Sequence, residues 1–191
     1  MKGKNFSGNN LGQRKKSDFY ETPYSITEQF LDVGLLHTHA STLEPACGRG
    51  AIVKVLKDKG IINIHSYDKE VDFLTEKQCY EQIITNPPFS LADDFILKAK
   101  NVALSRFSFL LPLSYLHGKS RYDNIWTDRQ FPLASIHVFT RYPMLGDDLR
   151  SDGCYRTGMM VYAWYHWEKE HQGSATINWL DNQCYVLKGK Q

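Results

Sequence analysis

The stretch "STLEPACGRGAIVKVLKDKG", Ser41 to Gly60, decides the fold. It reads as a strand ending on Glu44, a turn of small residues carrying Gly48 and Gly50, and a helix stopped by Gly60. Downstream, "INIHSYD" is a second strand ending on Asp68 and "YEQIIT" a third. "SLADDFILKAKNVA" is a helix with Ser90 as its cap, "RFSFLLP" a fourth strand, "GKSRYDNIWTDRQF" a helix and "ASIHVFT" a fifth strand. Upstream, Thr22-Pro23 marks a turn, and a helix capped by Ser25 or Thr27 is expected through Phe30, Leu31 and Leu35. Strands alternating with helices give βαβ units and an α/β fold on a mostly parallel sheet.

The C-terminal part has another character. "MMVYAWYHWEK" and "ATINWLD" are aromatic-rich strands joined by a Gly-Ser turn, which predicts an antiparallel hairpin closing the sheet edge. Along the first of them the faces alternate, so half the rings are expected in the core. Residues 141–158, "RYPMLGDDLRSDGCYRTG", are too polar and glycine-broken for a regular element.

Composition narrows the class. At 42% hydrophobic and 23% charged residues, the 191-residue chain is of ordinary globular make-up, which predicts one domain. No apolar run reaches membrane-span length and "MKGKNFSGNN" lacks a signal-peptide core, so a cytoplasmic location is expected. Cys47, Cys79, Cys154 and Cys184 are scattered without C-x-x-C spacing, and no metal site is expected from them or from His37 and His39. Five of the 23 basic residues (Lys2, Lys4, Arg14, Lys15, Lys16) precede the first acid, Asp18, leaving 18 basic against 21 acidic residues after it. The sequence therefore reads as a flexible basic arm, residues 1–17, suited to phosphates or simply to solvent, ahead of a mildly acidic body.

Two turns carry chemistry. In the first, Gly48 and Gly50 let the backbone approach a ligand closely. The pattern is neither G-x-G-x-x-G nor a Walker motif, and Glu44 beside it disfavours a pyrophosphate and favours a cationic group. Asp68, at the end of the second strand, stands where a carboxylate takes both ribose hydroxyls. The second turn is "IITNPPFS", Ile83 to Ser90: two prolines can continue neither a helix nor a central ladder, so Asn86-Pro87-Pro88-Phe89 lies past a strand's carboxyl edge. It serves either as a stiff connection or as a site.

"LEPACGRG" followed by "ITNPPF" resembles the S-adenosylmethionine-dependent amino-methyltransferases, particularly the N6-adenine branch. The resemblance covers residues 20–167 and implies a Rossmann-like class I methyltransferase fold with S-adenosylmethionine as cofactor. It implies that Glu44, Pro45, Ala46, Cys47, Gly48 and Gly50 line the methionine side, Asp68 the ribose, and Asp72 with Phe73 the cofactor adenine. "FYETP" is similar to an element that closes over the methionine end, bringing in Tyr20, Thr22 and Pro23. The interval from Asp68 to Asp72 is short for the family. The resemblance makes residues 18–191 one methyltransferase domain without a separate target-recognition domain.

The amino-transfer chemistry fits the second turn. Adenine N6 is a poor nucleophile because its lone pair is delocalised into the ring. Hydrogen bonds accepted from both N6 hydrogens by the Asn86 side-chain oxygen and the Pro87 carbonyl would localise that pair. The prolines hold the turn at little entropic cost, and Phe89 offers a face for the purine. A duplex adenine must be flipped out to reach it. Arg141, Arg150 and Arg156 are candidate phosphate contacts, and Tyr142 and Tyr155 candidate stackers, unless residues 141–158 form an ordinary mobile loop. The expected activity is N6-adenine methylation of DNA. RNA adenine methylation, glutamine-amide methylation of a protein, and a non-catalytic nucleic-acid or partner module are the alternatives.

Overall fold

The computed structural model describes residues 21–142 and 160–181. The expected basic arm, with Tyr20, and the candidates Arg150, Tyr155 and Arg156 lie outside the described residues. Seven strands form one sheet in the order β2-β1-β3-β4-β6-β5-β7: β1 (Thr42–Glu44), β2 (Ile64–Ser66), β3 (Tyr80–Thr85), β4 (Ala103–Pro112), β5 (Leu133–Phe139), β6 (Tyr162–Glu168) and β7 (Thr176–Leu180). All but β6 run in one direction, β6 being antiparallel to both β4 and β5. The α/β class and the mostly parallel sheet are as the sequence predicts.

The sheet is covered on both faces. Helices α1 (Tyr24–Leu31) and α2 (Ala51–Asp58) lie on one face, where Ile26, Phe30, Ile52 and Leu56 pack with Ile84, Leu110 and Trp164. On the other, Phe95 and Ile96 of α3 (Ala92–Val102) pack with Ile83, Phe107 and Trp167. The neighbours Ile83 and Ile84 thus serve opposite cores, as the strand period of two requires. Burial on both faces is why the adjacent residues Ile83 and Ile84 of β3 are both apolar.

Several expected details differ. The antiparallel strand near the C-terminus is present, but β6 pairs with β4 and β5, while β7 lies parallel to β5 at the edge. No turn between β6 and β7 could set that register, because the partners come from earlier in the chain. As an interior strand β6 buries Trp164, Tyr165, His166 and Trp167 together, rather than alternate rings only. Pro23, with φ of −58° and ψ of 135°, is the N-cap of α1, so Ser25 and Thr27 fall inside the helix. It ends at Leu31, short of Leu35. Ser90 does not cap α3, because Phe89–Leu91 form a 3-10 turn and the cap falls on Leu91. The helix expected over 118–131 is one turn, Lys119–Arg121, running into a π-helical Tyr122–Trp126.

The strand order places the site. From β1 the chain goes to β2 on one side, then crosses back to β3 on the other. Ligands bind at such a reversal, beyond the carboxyl ends of the strands. Here those ends are Glu44 and Thr85.

Candidate active site

A cleft opens at this point, and the two turns singled out in the sequence meet in it. Ala46, Cys47 and Gly48 line it from the first turn, Asn86, Pro87, Pro88 and Phe89 from the second. Asp68 and Thr22 complete the walls, joined by Glu21 and Arg49, which sequence reasoning passed over. Those two form an ion pair at 3.7 Å. Strand β2 ends at Ser66, yet its pairing continues through the loop: Tyr67 N–H donates to Glu44 O at 3.2 Å and Cys47 N–H to Tyr67 O at 3.0 Å. This backbone ladder holds Asp68, half-buried, against the glycine turn. Gly48 and Gly50 sit at φ of 51° and 82°, the left-handed region that glycine occupies without strain.

Glu44 lies fully buried beneath the turn. Its Oε1 accepts a 2.6 Å hydrogen bond from the Thr85 hydroxyl and one of 3.1 Å from the Ala46 N–H. Its Oε2 is buried with no hydrogen-bond partner among the described residues. Burial pushes the carboxyl up to about 8; the bonds from Thr85 and Ala46 pull it down, and Asp68 adds to the rise. Glu44 is therefore mostly neutral at pH 7, and a cation nearby would favour its charged form. Pro45 is buried at the strand tip. Burial also raises the Cys47 thiol, helped by Glu44 and Asp68, so Cys47 is no thiolate nucleophile.

At the second turn, the Asn86 side-chain amide donates from Nδ2 to the Thr22 hydroxyl at 3.0 Å. Tyr115 Oη donates to the Phe89 carbonyl at 3.0 Å, and the Arg121 guanidinium, paired with Asp93 at 2.9 Å, lies 4.0 Å over the Tyr115 ring. The turn is thus gripped at both ends. The Phe89 ring stacks near Tyr162 at 5.8 Å, and Tyr162 in turn meets Tyr142 at 4.5 Å. Tyr142 accordingly joins an aromatic row that reaches Phe89, while Arg141 is exposed at the end of the described segment. The roles of Thr85, Tyr115 and Tyr162 carried no signal in the sequence, because each depends on a partner from a distant strand.

Six of the expected cofactor residues, Pro23, Glu44, Pro45, Gly50, Asp72 and Phe73, are not among those that line the cleft. Asp72 Oδ1 accepts from the Leu74 N–H at 2.9 Å, capping the 3-10 turn Phe73–Thr75. The Phe73 ring is buried in the core, 4.9 Å from Phe95. Among the described residues no His, Cys, Asp and Glu group could hold a metal ion, and no helix is long and apolar enough to cross a membrane.

No protein-family model and no curated protein matches the sequence. Solved structures do match in fold. One is a Listeria monocytogenes protein assigned, without proof, as a class I S-adenosylmethionine-dependent methyltransferase (TM-score 0.60, 14% identity, 87% of this chain and 68% of that one). Another is the M protein of the type I restriction enzyme EcoKI (TM-score 0.56, 10% identity, 81% of this chain), of which this chain spans 45%. A third, from Pyrococcus horikoshii, is assigned in the same provisional way as an RNA methyltransferase (TM-score 0.55, 12% identity, 78% and 87%). The likeness is one of fold, and the chain has the fold of the class I S-adenosylmethionine-dependent methyltransferases.

Proposed function

We propose that this protein is an S-adenosylmethionine-dependent methyltransferase acting on the exocyclic N6 of adenine in DNA. The observation that carries the reading is the meeting of the glycine turn and the Asn-Pro-Pro-Phe turn in one cleft at the sheet's reversal point. The residues fit the cofactor. A buried carboxyl whose second oxygen is unpartnered among the described residues lies under the turn, Asp68 lines the cleft and would take the ribose hydroxyls, and the glycines allow close backbone approach. Glu44, Ala46, Cys47, Gly48 and Gly50 hold the methionine end, with Thr22 and Pro23 beside them. Asp72 and Phe73 are the residues proposed near the cofactor adenine. When bound, S-adenosylmethionine supplies a methyl group activated on a sulfonium.

The chain's own part is alignment. Asn86 Oδ1 and the Pro87 carbonyl accept the two amino hydrogens of the target, turning its lone pair towards the methyl group. Phe89 stacks on the purine, worth about 1–3 kcal/mol. No residue of high basicity is required, since the methylated amine loses its proton to water. The basic N-terminal arm, the phenylalanine at position 89 and the fold likeness to a restriction-enzyme M protein favour DNA. The aromatic row through Tyr162 and Tyr142 suits an unstacked base. The test is transfer of labelled methyl from S-adenosylmethionine to duplex DNA, single-stranded DNA, structured RNA and protein pools. Label in DNA supports the reading; label only in RNA or protein replaces it.

A further inference from the structure

We propose that Arg49 and Glu21 read the charged end of the cofactor: the Arg49 guanidinium takes its α-carboxylate, and the Glu21 carboxylate takes its α-ammonium group. The inference rests on the functional reading above, which gives neither residue a part. S-adenosylmethionine ends in an amino acid whose anion and cation sit on one carbon. A site that tells it from a nucleoside without that end needs a cation held beside an anion. Among the described residues that line the cleft, Glu21 and Asp68 are the acids and Arg49 is the base. With Asp68 on the ribose, the two charges that remain are Glu21 and Arg49, and they face each other at 3.7 Å.

Each charge is carried by a part of the fold that borders the glycine turn. Arg49 stands at the corner of a tight turn in which the Gly50 N–H donates to the Cys47 carbonyl at 2.7 Å, between two glycines of positive φ. Ala51 and Ile52, in the first turn of α2, line the cleft beside it, and no acidic side chain stands in that turn. The positive end of the helix dipole therefore adds to the guanidinium in favouring an anion. Glu21 is placed by its neighbours, the buried Thr22 and Pro23, the cap of α1. The ion pair itself contributes little to stability, because the Arg49 and Glu21 side chains are 74% and 33% exposed and water screens them. Exchanging their mutual contact for a zwitterion therefore costs little. The guanidinium need not give up other contacts either, since its five N–H donors serve more than one acceptor and meet a carboxylate two at a time.

The test is calorimetry on the full chain with S-adenosylhomocysteine and methylthioadenosine. Both are neutral thioethers, and methylthioadenosine lacks the amino acid, so the difference between them isolates that end. Arg49→Gln should weaken S-adenosylhomocysteine binding about ten- to a hundredfold, the effect of losing hydrogen bonds to a charged group. Methylthioadenosine should weaken less than about threefold. Arg49→Lys keeps the charge without the fork and should restore part of the loss. Decarboxylated S-adenosylmethionine separates the two roles: its affinity should be insensitive to R49Q and fall about tenfold in Glu21→Gln. Thermal midpoints should stay at the wild-type value in all three variants, which a structural role for the pair would move. Equal losses for the two thioethers in R49Q, an unchanged affinity for S-adenosylhomocysteine, or an R49Q loss for the decarboxylated cofactor as large as for S-adenosylhomocysteine would each overturn the proposal and leave the functional reading standing. If the wild type binds neither S-adenosylmethionine nor S-adenosylhomocysteine, the functional reading fails and the proposal falls with it.

Discussion

Thr85 donates a 2.6 Å hydrogen bond to Glu44, linking the last residue of β3 to the last residue of β1. The residue after Thr85 opens the Asn-Pro-Pro-Phe turn, and the residues after Glu44 form the glycine turn. The glycine turn and the Asn-Pro-Pro-Phe turn are therefore joined at their bases by a buried bond. It leaves a carboxyl that is mostly neutral at pH 7, with one oxygen unpartnered among the described residues, beneath the glycine turn.

That carboxyl makes stability depend on pH. Glu44 keeps its proton up to about 8 when folded, against an ordinary 4.5. Between those values the folded state holds more protons than the unfolded state. Stability therefore falls as pH rises, by up to about 1.4 kcal/mol per unit, and levels off above about 8. Glu44→Gln cannot ionise and should show a shallower fall between pH 5 and 8. Urea unfolding at three pH values measures it; parallel curves for the two proteins would mean that Glu44 ionises normally.

Asp68→Ala should weaken S-adenosylmethionine binding about ten- to a hundredfold, the effect of losing hydrogen bonds to a charged acceptor. The fold should persist, because Asp68 is half-buried and the neighbouring ladder runs through backbone groups. Calorimetry gives the dissociation constant, and an unchanged value would remove Asp68 from the ribose.

Asn86→Ala should reduce single-turnover methyl transfer by about a hundredfold or more, on the scale of losing one preorganised polar group that acts in the transition state. Cofactor affinity should stay within about threefold. Rapid-quench kinetics with labelled cofactor tests this, and a rate near wild type would take Asn86 out of the mechanism.

Phe89→Ala should act mainly on the nucleic acid. A lost base stack of about 1–3 kcal/mol corresponds to roughly ten- to a hundredfold in kcat/KM for DNA. Cofactor binding should be little changed. An effect confined to the cofactor would place Phe89 on the other side of the cleft.

Legibility followed the range of the interactions involved. Strand β3 and the glycine turn were readable because their signals are local: the apolar pair Ile83-Ile84, glycines in a turn where φ is positive, and prolines that end a ladder. The position of β6 was not, because an antiparallel strand between β4 and β5 is fixed by partners far upstream, from Val138 opposite Ala163 to Arg106 opposite Glu168, and sequence periodicity records only whether both faces are buried. Cap positions failed for a different reason. Ser25, Thr27 and Ser90 have good capping chemistry, but Pro23 and the 3-10 turn at Phe89–Leu91 fix where the backbone enters the helix. At the site, the cleft-lining residues of both turns were legible as motifs, while Thr85, Tyr115 and Tyr162 act through partners that only folding supplies.

The most direct measurement is the identity of the methylated atom. Duplex and single-stranded DNA would be incubated with the full chain and S-adenosylmethionine carrying a deuterated methyl group, digested to nucleosides and analysed by mass spectrometry. The predicted result is labelled N6-methyladenine that depends on Asn86. Label on a carbon or oxygen atom, or label that persists in Asn86→Ala, would contradict amino-group transfer at the Asn-Pro-Pro-Phe turn.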